Sequence, residues 1–166
     1  MKRVAKFKAC MVKKFEMLDL GLLDDFLGLE VKQGEDGIFI SQRKYTMDLL
    51  KKFNVGKCKV AATPMNANGK LCDDDSAELA NATYFRSFAG GLNYLSHTRP
   101  DIAVSIGVVS SFMHDPSKLC LGAIKRILRY VVGTTKHGIW YSRVSNFRLT
   151  GLMVFTNSYW AVDTKH

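Results

Sequence analysis

Adjacent carboxylates are the first chemistry this sequence offers. Asp24 and Asp25 stand side by side just before an apolar run. Paired carboxylates can hold two Mg²⁺ ions about 3.5–4 Å apart for in-line displacement at phosphorus. A complete site needs a further carboxylate on an earlier strand, and the preceding residues supply none, so the pair reads as a solvated turn. Asp73, Asp74 and Asp75 form an acidic knot, but chain neighbours do not converge on a metal without a dedicated loop. Cys10, Cys58, Cys72 and Cys120 lie far apart, with no C-x-x-C pair and no paired histidines nearby, which argues against structural zinc. His97, His114, His137 and His166 share no spacing, and the sequence offers no partner to make one a general base. The expectation is no catalytic residue, no metal ligand and no cofactor in this chain.

The cations are the second source of chemistry. The formal charge is +9 on 166 residues, and it is unevenly spread. Residues 1–60 hold 13 Lys/Arg against 8 Asp/Glu, 61–100 hold 3 against 4, and 101–166 hold 8 against 3. Two basic ends around a neutral middle suit a polyanion, and solubility alone is an equally good account. Lys125, Arg126 and Arg129 form the sharpest cluster, set opposite Ile124, Leu128 and Val131 at helical spacing.

Positioning such residues takes a mixed α+β chain. Val4, Phe7, Met11 and Phe15 make a helical stripe at the start. Residues 26–33 and 38–42 read as a hairpin around Gly34-Glu35-Asp36-Gly37, whose glycines are expected to supply positive φ. Ser41 is then the expected N-cap of a helix burying Tyr45, Leu49, Leu50 and Phe53. Residues 56–80 read as linker.

Three short helices follow. In the first, Tyr84, Phe88, Gly91 and Leu95 share a face, and Asn81 is the expected N-cap. Gly90 and Gly91 each cost about 1 kcal/mol against alanine in a helix, so a neighbour must approach closely there. Arg99-Pro100 ends this helix and starts the second, whose stripe is Ile102, Ile106, Val109 and Met113. Asp115-Pro116 is the expected cap of the third, buried through Ile124, Ile127, Leu128 and Val131 and closed by a left-handed Gly133. Gly138 to Tyr141 and residues 149–155 read as strands. No apolar run reaches the roughly 20 residues of a membrane helix, so no membrane partner is expected. The basic start is read as part of a helix rather than as a transit peptide, and the thiols imply an intracellular compartment, either nucleus and cytoplasm or mitochondrion.

Several of these stretches, in one order, carry a family resemblance. Tyr84-Phe85-Arg86-Ser87 with Gly90 and Tyr94-Leu95, then Thr98-Arg99-Pro100-Asp101-Ile102, then Lys125-Arg126-Ile127-Leu128-Arg129-Tyr130 with Gly133-Thr134, resemble the reverse transcriptase of Ty1/copia-type retrotransposons. The similar region lies C-terminal to the polymerase active site, and like open reading frames occur in plant mitochondrial genomes. The resemblance implies four parts. Residues 1–55 correspond to the end of the palm with a primer-grip hairpin, and 56–80 to a linker. Residues 81–133 correspond to a small helical thumb-like subdomain, and 134–166 to a connection and the first one or two strands of a truncated ribonuclease H-like domain. In that last part Asn157, Tyr159 and Val162 stand where the family has aspartate, aspartate and glycine.

The resemblance further implies a partner, the backbone of an RNA–DNA hybrid or duplex. Lys32, Gln33, Lys44, Arg86, Arg99, Lys125, Arg126 and Arg129 are the residues expected to contact it. The catalytic strand is expected upstream, or supplied in trans as a separate palm, with Mg²⁺ bound only once a complete polymerase is assembled. On this view the chain is no enzyme by itself. The alternative is a domesticated or relic reading frame acting, if at all, as a non-catalytic nucleic-acid-binding or protein-interaction module.

Overall fold

The computed structural model describes residues 2–18, 21–66 and 79–143. The Asp73–Asp75 knot, Cys72, the strand expected at 149–155, the Asn157, Tyr159 and Val162 substitutions, and His166 lie outside the described residues. Within them the fold is α+β: a four-stranded antiparallel sheet and a helical core.

Helix α1, Lys2–Lys14, forms as its periodicity predicts and ends in Lys13 and Lys14, the sign that suits a helix C-terminus. Its apolar stripe is left largely exposed. Val4, Phe7 and Phe15 are each more than half exposed, and of the expected stripe Met11 alone is half-buried.

The sheet runs in the order β1 (Asp25–Phe26), β2 (Leu29–Gln33), β3 (Gly37–Ser41) and β4 (Gly138–Ser142). The strand expected over 26–33 is therefore broken. Leu27 and Gly28 both have positive φ, 51° and 78°, as a two-residue hairpin loop demands, and Phe26 pairs back with Leu29. The Tyr94 hydroxyl donates to the Leu27 carbonyl at 2.5 Å and fixes this turn to the helical core. In the next loop neither Gly34 nor Gly37 has positive φ, contrary to expectation. Gly37 is required for room instead: a Cβ there would strike the Tyr141 carbonyl and lie 2.9 Å from the Trp140 ring. β4, from the far end of the described chain, completes the sheet against β3 with Phe39 opposite Trp140.

The core lies among α2 (Arg43–Lys52), α3 (Ala82–Leu95), a single 3₁₀ turn (Ser96–Thr98), α4 (Pro100–Ser110) and α5 (Lys118–Gly133). Phe85, Phe88, Leu92, Leu95, Ile102, Ile106, Val109, Ile124, Ile127, Leu128 and Val131 are buried there, each worth roughly 1.5–3 kcal/mol of transfer free energy. The buried face of α3 is rotated from the expected one: Phe85, Ala89 and Leu92 are inside, and Tyr84 is half exposed. Phe53 of the α2 C-cap stacks on Phe88 at 3.8 Å between centroids, and Tyr84 closes edge-on against the same ring.

Some helix ends differ from expectation. Asn81 caps α3 as predicted, accepting from the Tyr84 N–H at 3.0 Å, and Pro100 opens α4. Ser41 is not the cap of α2. It finishes β3, and Gln42 takes the cap position without a side-chain bond. Asp115 does not cap α5 either, because Ser117 does so by accepting from the Cys120 N–H at 3.3 Å. Gly133 lies inside α5 with negative φ, so it is no left-handed cap, and its bare Cα admits Val60, whose Cγ1 a Cβ would overlap.

Candidate nucleic-acid interface

The eight residues expected to face a phosphate backbone divide into two groups. Lys32 and Gln33 are exposed near the end of β2, and Gln33 Nε2 donates to the Leu23 carbonyl at 3.2 Å. Lys44 is exposed in the first turn of α2, where its N–H donates to Glu30 Oε1 at 2.6 Å. That bond puts a carboxylate at the positive end of the helix and joins β2 to α2. Arg86 is exposed on α3 with Nε donating to the Met113 carbonyl at 3.1 Å. Lys125 is exposed on α5.

Arg99, Arg126 and Arg129 are occupied inside the fold. Arg99 is only 2% exposed. Its Nε and Nη2 donate to Asp101 Oδ1 and Oδ2 at 2.8 and 2.7 Å, while Nη1 donates to the Thr134 carbonyl and Nη2 to the Thr134 hydroxyl. The expectation of a surface Arg99 is thus corrected: a guanidinium two residues before an aspartate finds its counter-ion locally and ties the start of α4 to the end of α5. Burial would push the Asp101 carboxyl up, but the Arg99 guanidinium outweighs it and holds that carboxyl below its usual range. Tyr130 donates to Asp101 Oδ2 at 3.0 Å, and burial followed by that bond raises the phenol.

The basic face of α5 is likewise half covered, contrary to the expectation of three cations in solvent. Arg126 Nη2 donates to the Thr63 hydroxyl at 2.9 Å, and Arg129 Nε to the Lys59 carbonyl at 2.6 Å. The return bond, Ala61 N–H to the Arg129 carbonyl, closes segment 59–63 over the helix.

What the fold does assemble is an open groove of about 410 Å³ between α2 and α3. Lys52 and Asp48 stand on the α2 wall, Arg86 and Ser87 on the α3 wall, with Gly90 and Gly91 between. Asp48, 3.7 Å from Lys51 Nζ on the exposed side of α2, sets one carboxylate beside the two cations Lys52 and Arg86. The two glycines do different work. A Cβ on Gly91 would lie 2.5 Å from Leu49 Cδ1, and the Gly91 carbonyl accepts from the Tyr45 hydroxyl at 3.0 Å. A Cβ on Gly90 would meet no neighbouring element within 4 Å among the described residues. Arg86 and the Gly90-Gly91 pair point here from the sequence, whereas Lys52 is a helix-surface lysine that carries no signal of its own. Among the described residues no three His, Cys, Asp or Glu side chains are grouped to hold a metal ion, and no helix is long and apolar enough to cross a membrane.

The sheet and the helical unit that follows it are the arrangement to compare with known proteins. Residues 1–67 match the family "Reverse transcriptase (RNA-dependent DNA polymerase)". The chain is a segment of the reverse transcriptase region of a copia-type retrotransposon Pol polyprotein. It is 38% identical over 151 residues to the retrovirus-related Pol polyprotein from transposon RE1 of Arabidopsis thaliana, covering 91% of this chain and 10% of that protein. To an uncharacterized mitochondrial protein of the same plant it is 36% identical over 149 residues, 89% of this chain and 60% of the other. A putative transposon Ty5-1 protein of Saccharomyces cerevisiae is 30% identical over 147 residues, 87% of this chain and 48% of that one. The chain thus spans a tenth of the plant transposon polyprotein it matches. No solved structure gives a significant match.

Proposed function

We propose that this segment holds a primer–template duplex by its phosphate backbone and leaves nucleotidyl transfer to carboxylates elsewhere in the polymerase. The observation that carries the reading is Gly90. A helix-interior glycine costs about 1 kcal/mol against alanine, and among the described residues no packing contact offsets it, since no neighbouring element comes within 4 Å of the place of a Cβ. An external backbone approaching the helix would use that space, and Arg86, Ser87 and Lys52 surround it with donors. Contacts of this kind position a duplex without reading its sequence.

The test is a titration of an RNA–DNA hybrid at several salt concentrations. Each phosphate neutralised contributes about 0.9 to the logarithmic salt slope on duplex DNA. Replacing Arg86 and Lys52 by glutamine together lowers the slope by roughly 1–2 units with unchanged circular dichroism. An unaltered slope removes the groove from the reading. With primer, template, nucleotides and Mg²⁺ the chain incorporates nothing, and incorporation lost on changing Asp24 and Asp25 to asparagine overturns the division of labour.

A second reading has its own observation. The exposed stripe of α1 and the residue after it, with Phe7 62% and Phe15 58% exposed, fits packing against another polypeptide surface, such as the rest of the polymerase supplied in cis or in trans. It adds a partner to the first reading and does not replace it.

A further inference from the structure

One face of the sheet is built differently from the other. Alternation along the strands puts Glu30, Lys32, Gly37, Phe39, Ser41, Gly138, Trp140 and Ser142 on one side. Lys32 pairs with Phe39 and Phe39 with Trp140, so a cation and two aromatic rings form one row across three strands.

The rings do not stack on each other. Each leans diagonally over a glycine of the neighbouring strand. A Cβ on Gly37 would lie 2.9 and 3.0 Å from Cζ2 and Cε2 of Trp140, and one on Gly138 would lie 2.7 and 3.0 Å from Cζ and Cε2 of Phe39. The glycines let the rings settle onto the sheet and spread the row into a platform. Trp140 remains 51% exposed, and no hydrophobic residue of the sheet belongs to the hydrophobic core or to the half-buried residues packed against it, although Ser41 at the far end of this face is buried. Lys32 is the exposed cation of this face. Of its acids, Glu30 accepts from the Lys44 N–H, and Asp25 pairs with Glu30 in the next row, away from the rings.

A half-exposed tryptophan and a phenylalanine beside a lysine, on a sheet outside the core, match the needs of unpaired bases. Bases stack on aromatic faces whatever their identity, and a nearby cation meets the phosphate between them. We propose that the Lys32–Phe39–Trp140 face is a stacking platform for unpaired bases of a single nucleic-acid strand, distinct from the duplex hold at the α2–α3 groove. The proposal rests on the nucleic-acid reading above, and its occupant is a strand whose bases are free, since paired bases have no face to offer.

The test uses the full chain and an oligothymidylate of about twelve nucleotides, within the usual span of single-strand sites. Trp140 and Trp160 are the two tryptophans, so a Trp160→Phe background makes Trp140 the sole tryptophan reporter. The expected result is quenching of Trp140 by the oligonucleotide and about a tenfold loss of affinity in Trp140→Leu. Trp140→Phe retains most of the affinity, and Lys32→Gln lowers the salt slope by about 0.7, the single-strand value per phosphate. Circular dichroism and the melting temperature confirm that each variant folds. Hybrid binding in Trp140→Leu stays within about twofold of the parent chain. Absent quenching and unchanged single-strand affinity in Trp140→Leu, with hybrid binding intact, overturn the platform and leave the duplex hold standing. Failure to bind either the hybrid or the single strand overturns both.

Discussion

Arg99 and Asp101 are locked in a two-point ion pair, at 2.8 and 2.7 Å, with the guanidinium sealed from solvent and the carboxylate one-third exposed. The same guanidinium donates to the carbonyl of Thr134, the C-cap residue of α5, whose last turn contains no basic residue of its own. Arg99 therefore completes two elements at once: it is the N-cap residue of α4 and supplies the cation that the carbonyl end of α5 favours. Asp101→Asn keeps the shape but leaves a buried charge without its counter-ion. Breaking fully buried pairs costs about 3–5 kcal/mol, and partial solvation of this carboxylate reduces the expectation to roughly 2 kcal/mol. Urea titration of the two proteins measures it, and a difference under about 0.5 kcal/mol, the range of ordinary surface changes, counts against the clamp.

The same pair sets an acid limit on stability. Burial acts to raise the Asp101 carboxyl, yet the Arg99 guanidinium brings it below the usual range in the folded state. A lowered folded value means that the unfolded chain binds the proton more readily. The stabilisation is therefore present above the unfolded value, near pH 3.9, and is lost as the pH falls through the lower folded value. Thermal melts of the parent chain and Asp101→Asn should converge below about pH 4 and separate above it. Parallel curves across that range would contradict the assignment.

Gly91 separates packing from propensity. Leu49 Cδ1 sits 2.5 Å from where a Cβ would be, and Leu49 is itself 5% exposed within the core. A branched side chain there pushes α2 away from α3 and strains the Tyr45 hydrogen bond to the Gly91 carbonyl. Gly91→Leu should lose roughly 1–3 kcal/mol by overpacking despite better helix propensity. A melting temperature at or above that of the parent refutes the close contact.

On α5 the guanidinium groups of Arg126 and Arg129 fasten segment 59–63, and Lys125 does not. Arg129→Met removes a charge-assisted bond to the Lys59 carbonyl that is exposed to solvent, and should cost about 1 kcal/mol. Lys125→Met should stay within about 0.5 kcal/mol of the parent. Proteolysis in segment 59–63 ought to quicken in the first variant alone. Equal behaviour of the two would mean that the segment is held by Val60 on Gly133 and not by the arginine.

Where a residue's role depends on its own turn of chain, the sequence was readable. Asn81, Pro100 and the stripe of α5 all declared themselves through spacing. Roles set by a distant partner did not. Gly133 looked like a helix terminator because Val60, more than seventy residues earlier, is invisible to a local pattern. Ser41 looked like a cap because nothing local reveals that β3 extends through it. Arg99, Arg126 and Arg129 looked like surface cations for the same reason: their acceptors, on Thr134, Thr63 and Lys59, come mostly from elsewhere in the chain. The register that sets Lys32 beside Phe39 and Trp140 brings together strands a hundred residues apart.

Gly90 offers the sharpest separation of stability from binding. It neighbours Gly91 on α3, yet a methyl group added to it meets no neighbouring element within 4 Å among the described residues, and its backbone has no positive φ. Gly90→Ala should therefore stabilise the helix, by about 0.4–1 kcal/mol, through propensity and a less flexible unfolded chain. If the open space exists for a nucleic-acid backbone, the same methyl group, flanked by Arg86 and Lys52, should weaken hybrid binding. A bulkier Gly90→Leu should weaken it further while the fold remains intact. The salt slope should change less than the affinity, because the cations are still present and the obstacle is steric. Paired melting and titration experiments on the three proteins resolve this directly. A variant that is more stable and binds the hybrid as tightly as the parent would show that Gly90 serves no approaching ligand, and the groove would lose its strongest claim.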